Sequence, residues 1–118
     1  MNILTRPILE INMSNLLDNY KTLSQIAPNA KCAAVVKDDA YGLGSEQIAQ
    51  LLYEQGGCRI FFVAHAIEGQ KIAPFVKDAK IYTLQGIGED SLDIFQKIPS
   101  LTPVISSPQM LEFYKANK

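Results

Sequence analysis

The sequence predicts an α/β fold of parallel βα repeats, and three observations carry that prediction. Apolar runs centred near Ala34 and Phe62 lack the polar alternation of a half-solvated strand, as expected of parallel strands covered on both faces, and further strands centre near Tyr82 and Val104. Segments with helical period separate those runs. Capping residues and stop signals fall at the joints between the two periods. Right-handed crossovers between neighbouring parallel strands are the topology such an alternation implies.

Taken in order, Ile8 to Met13 reads as a short opening strand. Ser14 then serves as N-cap for a helix that places Leu16, Leu17, Tyr20, Leu23 and Ala27 on one face, and Pro28 stops it. Lys31 to Lys37 is the first parallel strand and ends in a charged, glycine-containing turn. Ser45 caps a second helix carrying Ile48, Ala49, Leu51 and Leu52, with Gly56-Gly57 as its stop. Ile60 to Ala64 is the next buried strand, followed by a short helix to about Ala73 that Gly69 weakens and Pro74 ends. Ala79 to Leu84 is a strand and Glu89 to Ile98 a crossover helix. Leu101 to Ile105 is the last strand. In the final helix Ser107 is the N-cap, Pro108 the first helical position, and Met110, Leu111 and Tyr114 face inward.

Composition narrows the function classes. The 118 residues are 47% hydrophobic and 19% charged, enough apolar material for one packed core. Eleven basic and twelve acidic residues leave a net charge of −1, so there is no field to gather nucleic acid or an anionic membrane surface. Neither a signal peptide nor a run approaching the ~18 apolar residues of a membrane span is visible, which makes the cytoplasm the expected location. Cys32 and Cys58 sit in apolar stretches and read as reduced core thiols. His65 is the only histidine; without Cys/His spacing around it, a solvated or hydrogen-bonded role is expected and no metal.

The end of the first parallel strand carries the chemistry. Lys37 lies where a buried strand meets the ligand-facing end of the sheet, and a lysine there needs a route to water or an anionic or electrophilic partner. A desolvated lysine amine condenses with aldehydes, whereas one that snorkels to solvent has no such role. Gly42-x-Gly44-Ser45 then opens a helix, whose free N–H groups could hold a phosphate or could simply form a turn. By length alone an open doubly wound sheet is favoured, because a (β/α)8 barrel needs eight strands and about 250 residues.

The string Ala34-Val35-Val36-Lys37-Asp38-Asp39-Ala40-Tyr41-Gly42-Leu43-Gly44 resembles the cofactor signature of the alanine racemases, usually written AVVKADAYGHG. Arg6-Pro7 with Glu10-Ile11, Asn19-Tyr20 with Leu23, Ala27-Pro28 with Ala30-Lys31, Phe62-Val63-Ala64 with Glu68, and Leu101 to Val104 fall in the same family order. The resemblance changes the expected architecture to the incomplete N-terminal half of a (β/α)8 TIM-like barrel. Residues 1–13 would be an N-terminal strand segment and 14–118 a partial barrel domain that binds pyridoxal 5′-phosphate.

By the same resemblance, Lys37 would hold the cofactor covalently and act as base on one face of the substrate's Cα. Tyr41 would help hold the cofactor phosphate, and Leu84 would pack near its ring; ordinary core filling is the competing role for both. The implied reaction is the interconversion of L- and D-alanine, supplying D-alanine for peptidoglycan. Racemisation needs acid–base groups on both faces of the reacting carbon. In the family the second is a tyrosine supplied by the partner subunit, so these 118 residues are expected to be inactive alone and to dimerise or self-associate. Two departures stand out: Asp38 replaces a small residue and Leu43 a histidine. A carboxylate beside Lys37 would favour its ammonium form, although strand alternation is expected to aim Asp38 away. The alternative reading is a non-catalytic open α/β module with a phosphate site at Gly42 to Ser45.

Overall fold

The computed structural model describes residue 1 and residues 3–118. Its elements run α1 (Met13–Ile26), β1 (Ala34–Val35), a single helical turn α2 (Lys37–Tyr41), α3 (Ser45–Glu54), β2 (Ile60–Val63), α4 (Ala66–Ile72) with a 3-10 extension Ala73–Phe75, β3 (Lys80–Thr83), α5 (Leu92–Lys97), β4 (Leu101–Pro103) and α6 (Pro108–Asn117). The four strands pair in chain order and every pairing is parallel. This is the predicted α/β arrangement.

One face of the sheet makes the core. Phe61, Val63, Ile81 and Thr83 are fully buried and point toward the helices, joined by Val36, Ile48, Ala49, Leu52, Ile72 and Leu101. Alternation then sends Val35, Phe62, Tyr82 and Leu84 to the other face. There Val35 is 47% and Leu84 39% exposed, and the Phe62 and Tyr82 rings stack on each other at 5.2 Å between centroids. Apolar residues on both faces are thus explained, but helices cover only one of them.

The surface is large for the mass, with the exposed N-terminal residues contributing beside the open face. Size scaling gives a compact monomer of 13.1 kDa about 6,400 Å² of accessible area, against 8063 Å² here. The radius of gyration, 16.6 Å, likewise exceeds the roughly 13.5 Å of a compact chain of this length.

Several local expectations are corrected. No strand forms at Ile8 to Met13: residues 8–12 join no ladder and Met13 already lies in α1. The cap of α1 is Asn12 rather than Ser14, because the Asn12 side chain accepts the Asn15 N–H at 2.9 Å. Leu17 is the buried residue of that helix, while Leu23 stands 62% exposed. Ser45 is the first residue of α3 and Gly44 its cap. α5 starts three residues later than expected, at Leu92, because Gly88 and Ser91 form a turn in which the Ser91 hydroxyl accepts the Gly88 N–H. In α6 the Ser107 hydroxyl accepts the Met110 N–H and Pro108 follows, as read, though Leu111 faces solvent.

Candidate functional site

The strands end together on one side of the sheet, and the ladder register shows which residues meet there. Val35, Phe62, Tyr82 and Thr102 are partners across the four strands. Hydrogen bonds continue the ladder beyond them: Val36 N–H donates to Phe62 O, Leu84 N–H to Val63 O, and Val104 N–H to Thr83 O, at 2.8 to 3.0 Å. Two residues onward the same face therefore carries Lys37, Ala64, Leu84 and Val104 in a row. Lys37 and Leu84 stand two strand spacings apart, about 10 Å. Both sit on the face the helices leave open.

The chain leaves β1 through an uncommon backbone. Asp38, Asp39 and Ala40 have φ of 54° and Tyr41 56°, four consecutive non-glycine residues in the left-handed region. Such residues cost roughly 1–2 kcal/mol each and persist only where the surroundings over-determine them. Here the surroundings do. The turn closes on itself through Ala40 N–H to Val36 O, Gly42 N–H to Asp38 O and Gly44 N–H to Asp39 O. Ala40 is buried beneath it. Glu68 of α4 accepts the Asp38 N–H at 2.6 Å through one oxygen and the His65 N–H at 2.7 Å through the other. Asp39 Oδ1 accepts the Ser45 N–H at 2.9 Å and lies 3.3 Å from Lys71 Nζ. The Ser45 N–H, and after it Lys71, hold the Asp39 carboxyl below the usual carboxylate range.

This turn brings Tyr41 back toward Lys37. The lysine Nζ lies 5.9 Å from the centre of the Tyr41 ring, which is 64% exposed. Lys37 is half-buried, and among the described residues its amine makes no hydrogen bond or ion pair. Asp38 is exposed and donates its backbone N–H to Glu68. His65 is the residue before α4, with its backbone N–H on Glu68. On the opposite end of the strands, Tyr20 donates its hydroxyl to Cys32 O at 2.7 Å, and burial pushes that hydroxyl upward. Cys32 and Cys58 are free thiols.

The backbone donors of the phosphate site in the alternative reading are already engaged. The N–H groups of Gly42, Leu43, Gly44 and Ser45 all donate within the chain, to Asp38 O, Ala40 O, Asp39 O and Asp39 Oδ1. The mouth of α3 is already filled by a carboxylate.

The sequence profile described as alanine racemase, N-terminal domain, matches residues 11–118. The chain belongs to that family. It is 37% identical over 108 residues to an alanine racemase of Methylobacterium sp. (strain 4-46), covering 92% of this chain and 29% of that enzyme. With the alanine racemase of Brucella ovis the identity is 40% over 111 residues, 92% of this chain and 27% of the other. The crystal structure of alanine racemase from Bartonella henselae with covalently bound pyridoxal phosphate superposes with a TM-score of 0.82 at 33% identity, over 90% of this chain and 30% of that one. The biosynthetic alanine racemase from Pseudomonas aeruginosa superposes at 0.78 and 26% identity, over 89% and 29%. The chain thus spans less than a third of the length of the curated relatives it matches. The fold is the one these racemases use for the N-terminal part of their barrels.

Of the residues singled out in the sequence, the structure brings Lys37 and Tyr41 together and sets Leu84 in the same strand-end row as Lys37. Glu68 and Asp39 were missed as parts of the site. Glu68 had a signal, since a glutamate three residues after a helix-start position has capping-box spacing. Asp39 matches the aspartate of the signature, but its partners lie on two other elements, so its bracing role was not readable.

Proposed function

We propose that this chain is the lysine-bearing N-terminal part of a pyridoxal-phosphate-dependent alanine racemase. The partial barrel domain begins with the Asn12 cap of α1 and runs to residue 118, and the residues before that cap are a segment apart from it. Lys37 holds the cofactor covalently through Nζ. Tyr41 offers its hydroxyl to the cofactor phosphate, and Leu84 offers an apolar wall to its ring.

The observation that carries this reading is the unpaired amine of Lys37, set on an open apolar face beside Tyr41 at the C-terminal ends of parallel strands. That is the end at which barrel enzymes build their sites. An aldehyde-bearing aromatic ring carrying a phosphate fits such a set: an amine to condense with, a side-chain wall to pack on, and a hydroxyl to donate. The Bartonella henselae relative carries pyridoxal phosphate covalently.

When bound, the cofactor supplies the electron withdrawal that makes the substrate's α-proton acidic. Once the substrate's amino group had taken its place on the cofactor, the freed Lys37 amine would take or return that proton on one face of the alanine Cα. The strands behind it exclude water from one side, and the left-handed turn fixes where the amine emerges. Exchange on the opposite face needs a second group from outside these 118 residues, so the isolated chain binds but does not turn over. The uncovered apolar face favours a homodimer or other self-association in solution. No described helix is long and apolar enough to cross a membrane. A cytoplasmic setting suits the two free thiols.

An absorbance titration with pyridoxal phosphate tests the binding step. A new visible band that Lys37→Ala abolishes is expected, and a band unchanged by that substitution would exclude Lys37 as the cofactor amine.

A further inference from the structure

Four consecutive left-handed residues directly after Lys37 are braced by side chains of other elements, and two of those braces come from one helix. Glu68 and Lys71 are three residues apart on α4, hence neighbours on one helix face. Glu68 accepts the Asp38 N–H, and Lys71 pairs with the Asp39 carboxylate. The adjacent pair Asp38-Asp39 is therefore clamped by an adjacent pair on α4. Glu68 also accepts the His65 N–H at the end of β2, so a single carboxylate ties the ends of two neighbouring strands. Charge-assisted bonds of this kind are about twice as strong as neutral ones.

We infer that Glu68 is a positioning residue for Lys37: by holding the Asp38 N–H it fixes the direction in which the lysine side chain leaves β1 along the open face. Glu68 does not touch the amine itself. Its two oxygens each serve one N–H donor. Glutamine at this position keeps one acceptor and turns an amide NH2 toward the other donor, so Glu68→Gln breaks one tie while preserving size. Glu68→Asp is one methylene short of both. The inference rests on Lys37 being the functional amine, and its test is chosen to read lysine position with and without the cofactor.

The 118-residue chain is compared as wild type, Glu68→Gln and Glu68→Asp. Trace labelling with acetic anhydride across pH gives a reactivity profile for each lysine without any cofactor, and a pyridoxal phosphate absorbance titration gives the affinity of the adduct. In both variants the Lys37 profile should shift and pyridoxal phosphate affinity should fall about tenfold, the loss expected of one charge-assisted hydrogen bond. The profiles of Lys31, Lys77 and Lys80 and the far-ultraviolet circular dichroism should stay as in wild type. A Lys37 profile identical in all three proteins overturns the positioning role, whatever the cofactor does. A shifted profile in a chain whose wild type forms no adduct at Lys37 upholds positioning and overturns the cofactor reading alone. Loss of the folded spectrum in both variants would make the tie purely structural and also overturn the inference.

Discussion

The two faces of the sheet are built from similar residues and do opposite things. Phe61, Val63 and Ile81 on the helix side are fully buried, while Val35 and Leu84 on the other side keep 47% and 39% of their exposure. Both sets are apolar, so hydropathy does not distinguish them. What distinguishes them is cover: α3, α4 and their neighbours close one face, and nothing among the described residues closes the other. The covered face holds the fold. The uncovered face carries Lys37 and Leu84 and leaves them open to solvent.

The largest expected effect comes from the uncovered face. Apolar side chains such as Val35 and Leu84 stand uncovered there, so the chain should self-associate at tens of micromolar, which corresponds to about 6 kcal/mol or more of association free energy. Sedimentation equilibrium checks this. A compact 13.1 kDa monomer with cooperative unfolding would mean that the open face had found cover within the chain. Next in size, Phe61→Ala should cost about 3–5 kcal/mol in urea unfolding, because it empties a fully buried site. Val35→Thr on the open face should stay within about 0.5 kcal/mol. Equal losses at the two positions would erase the distinction between the faces.

Thr83 sharpens the point on the covered side, where it is fully buried and donates its hydroxyl to Gly86 O at 2.9 Å. Thr83→Val keeps the volume and strands that carbonyl, with an expected cost of about 1–3 kcal/mol. The smallest effect is electrostatic and belongs to the turn on the open side. The Asp39 carboxyl is held low in the folded chain, so its contribution is present above the unfolded value near 3.9 and is lost as pH falls through the lower folded value. Urea midpoints of wild type and Asp39→Asn should therefore differ modestly at pH 7 and converge below about pH 4. A gap that stays constant down to pH 3 would remove Asp39 from the bracing of the turn.

The contrast also explains what could be read from the sequence. The four parallel strands were legible because apolar runs such as Ile60 to Val63 are bounded by turn residues and separated by segments of helical period, whereas the opening strand expected at Ile8 to Met13 did not form. Ser107 and Pro108 marked the start of α6 through purely local chemistry. Lys37 and Tyr41 were legible through a signature, and their shared placement follows from strand alternation and one turn. The left-handed path of Asp38 to Tyr41 was not legible, because none of these residues prefers positive φ strongly enough to announce it. That path is braced by its own backbone bonds, by Ser45 and by Glu68 and Lys71 of α4, the last two distant in sequence and brought there only once the chain is folded. Leu23 was misplaced for a related reason: helical period identifies an apolar face but not how far along the helix its neighbours reach.

The central claim is that the open face is organised around Lys37, and covalent trapping tests it most directly. Pyridoxal phosphate is added to the chain, the adduct is reduced with borohydride, and peptides are mapped by mass spectrometry. The expected result is a single pyridoxyl modification on Lys37. Modification on Lys31 or Lys71 instead, with Lys37 unlabelled, would contradict the account.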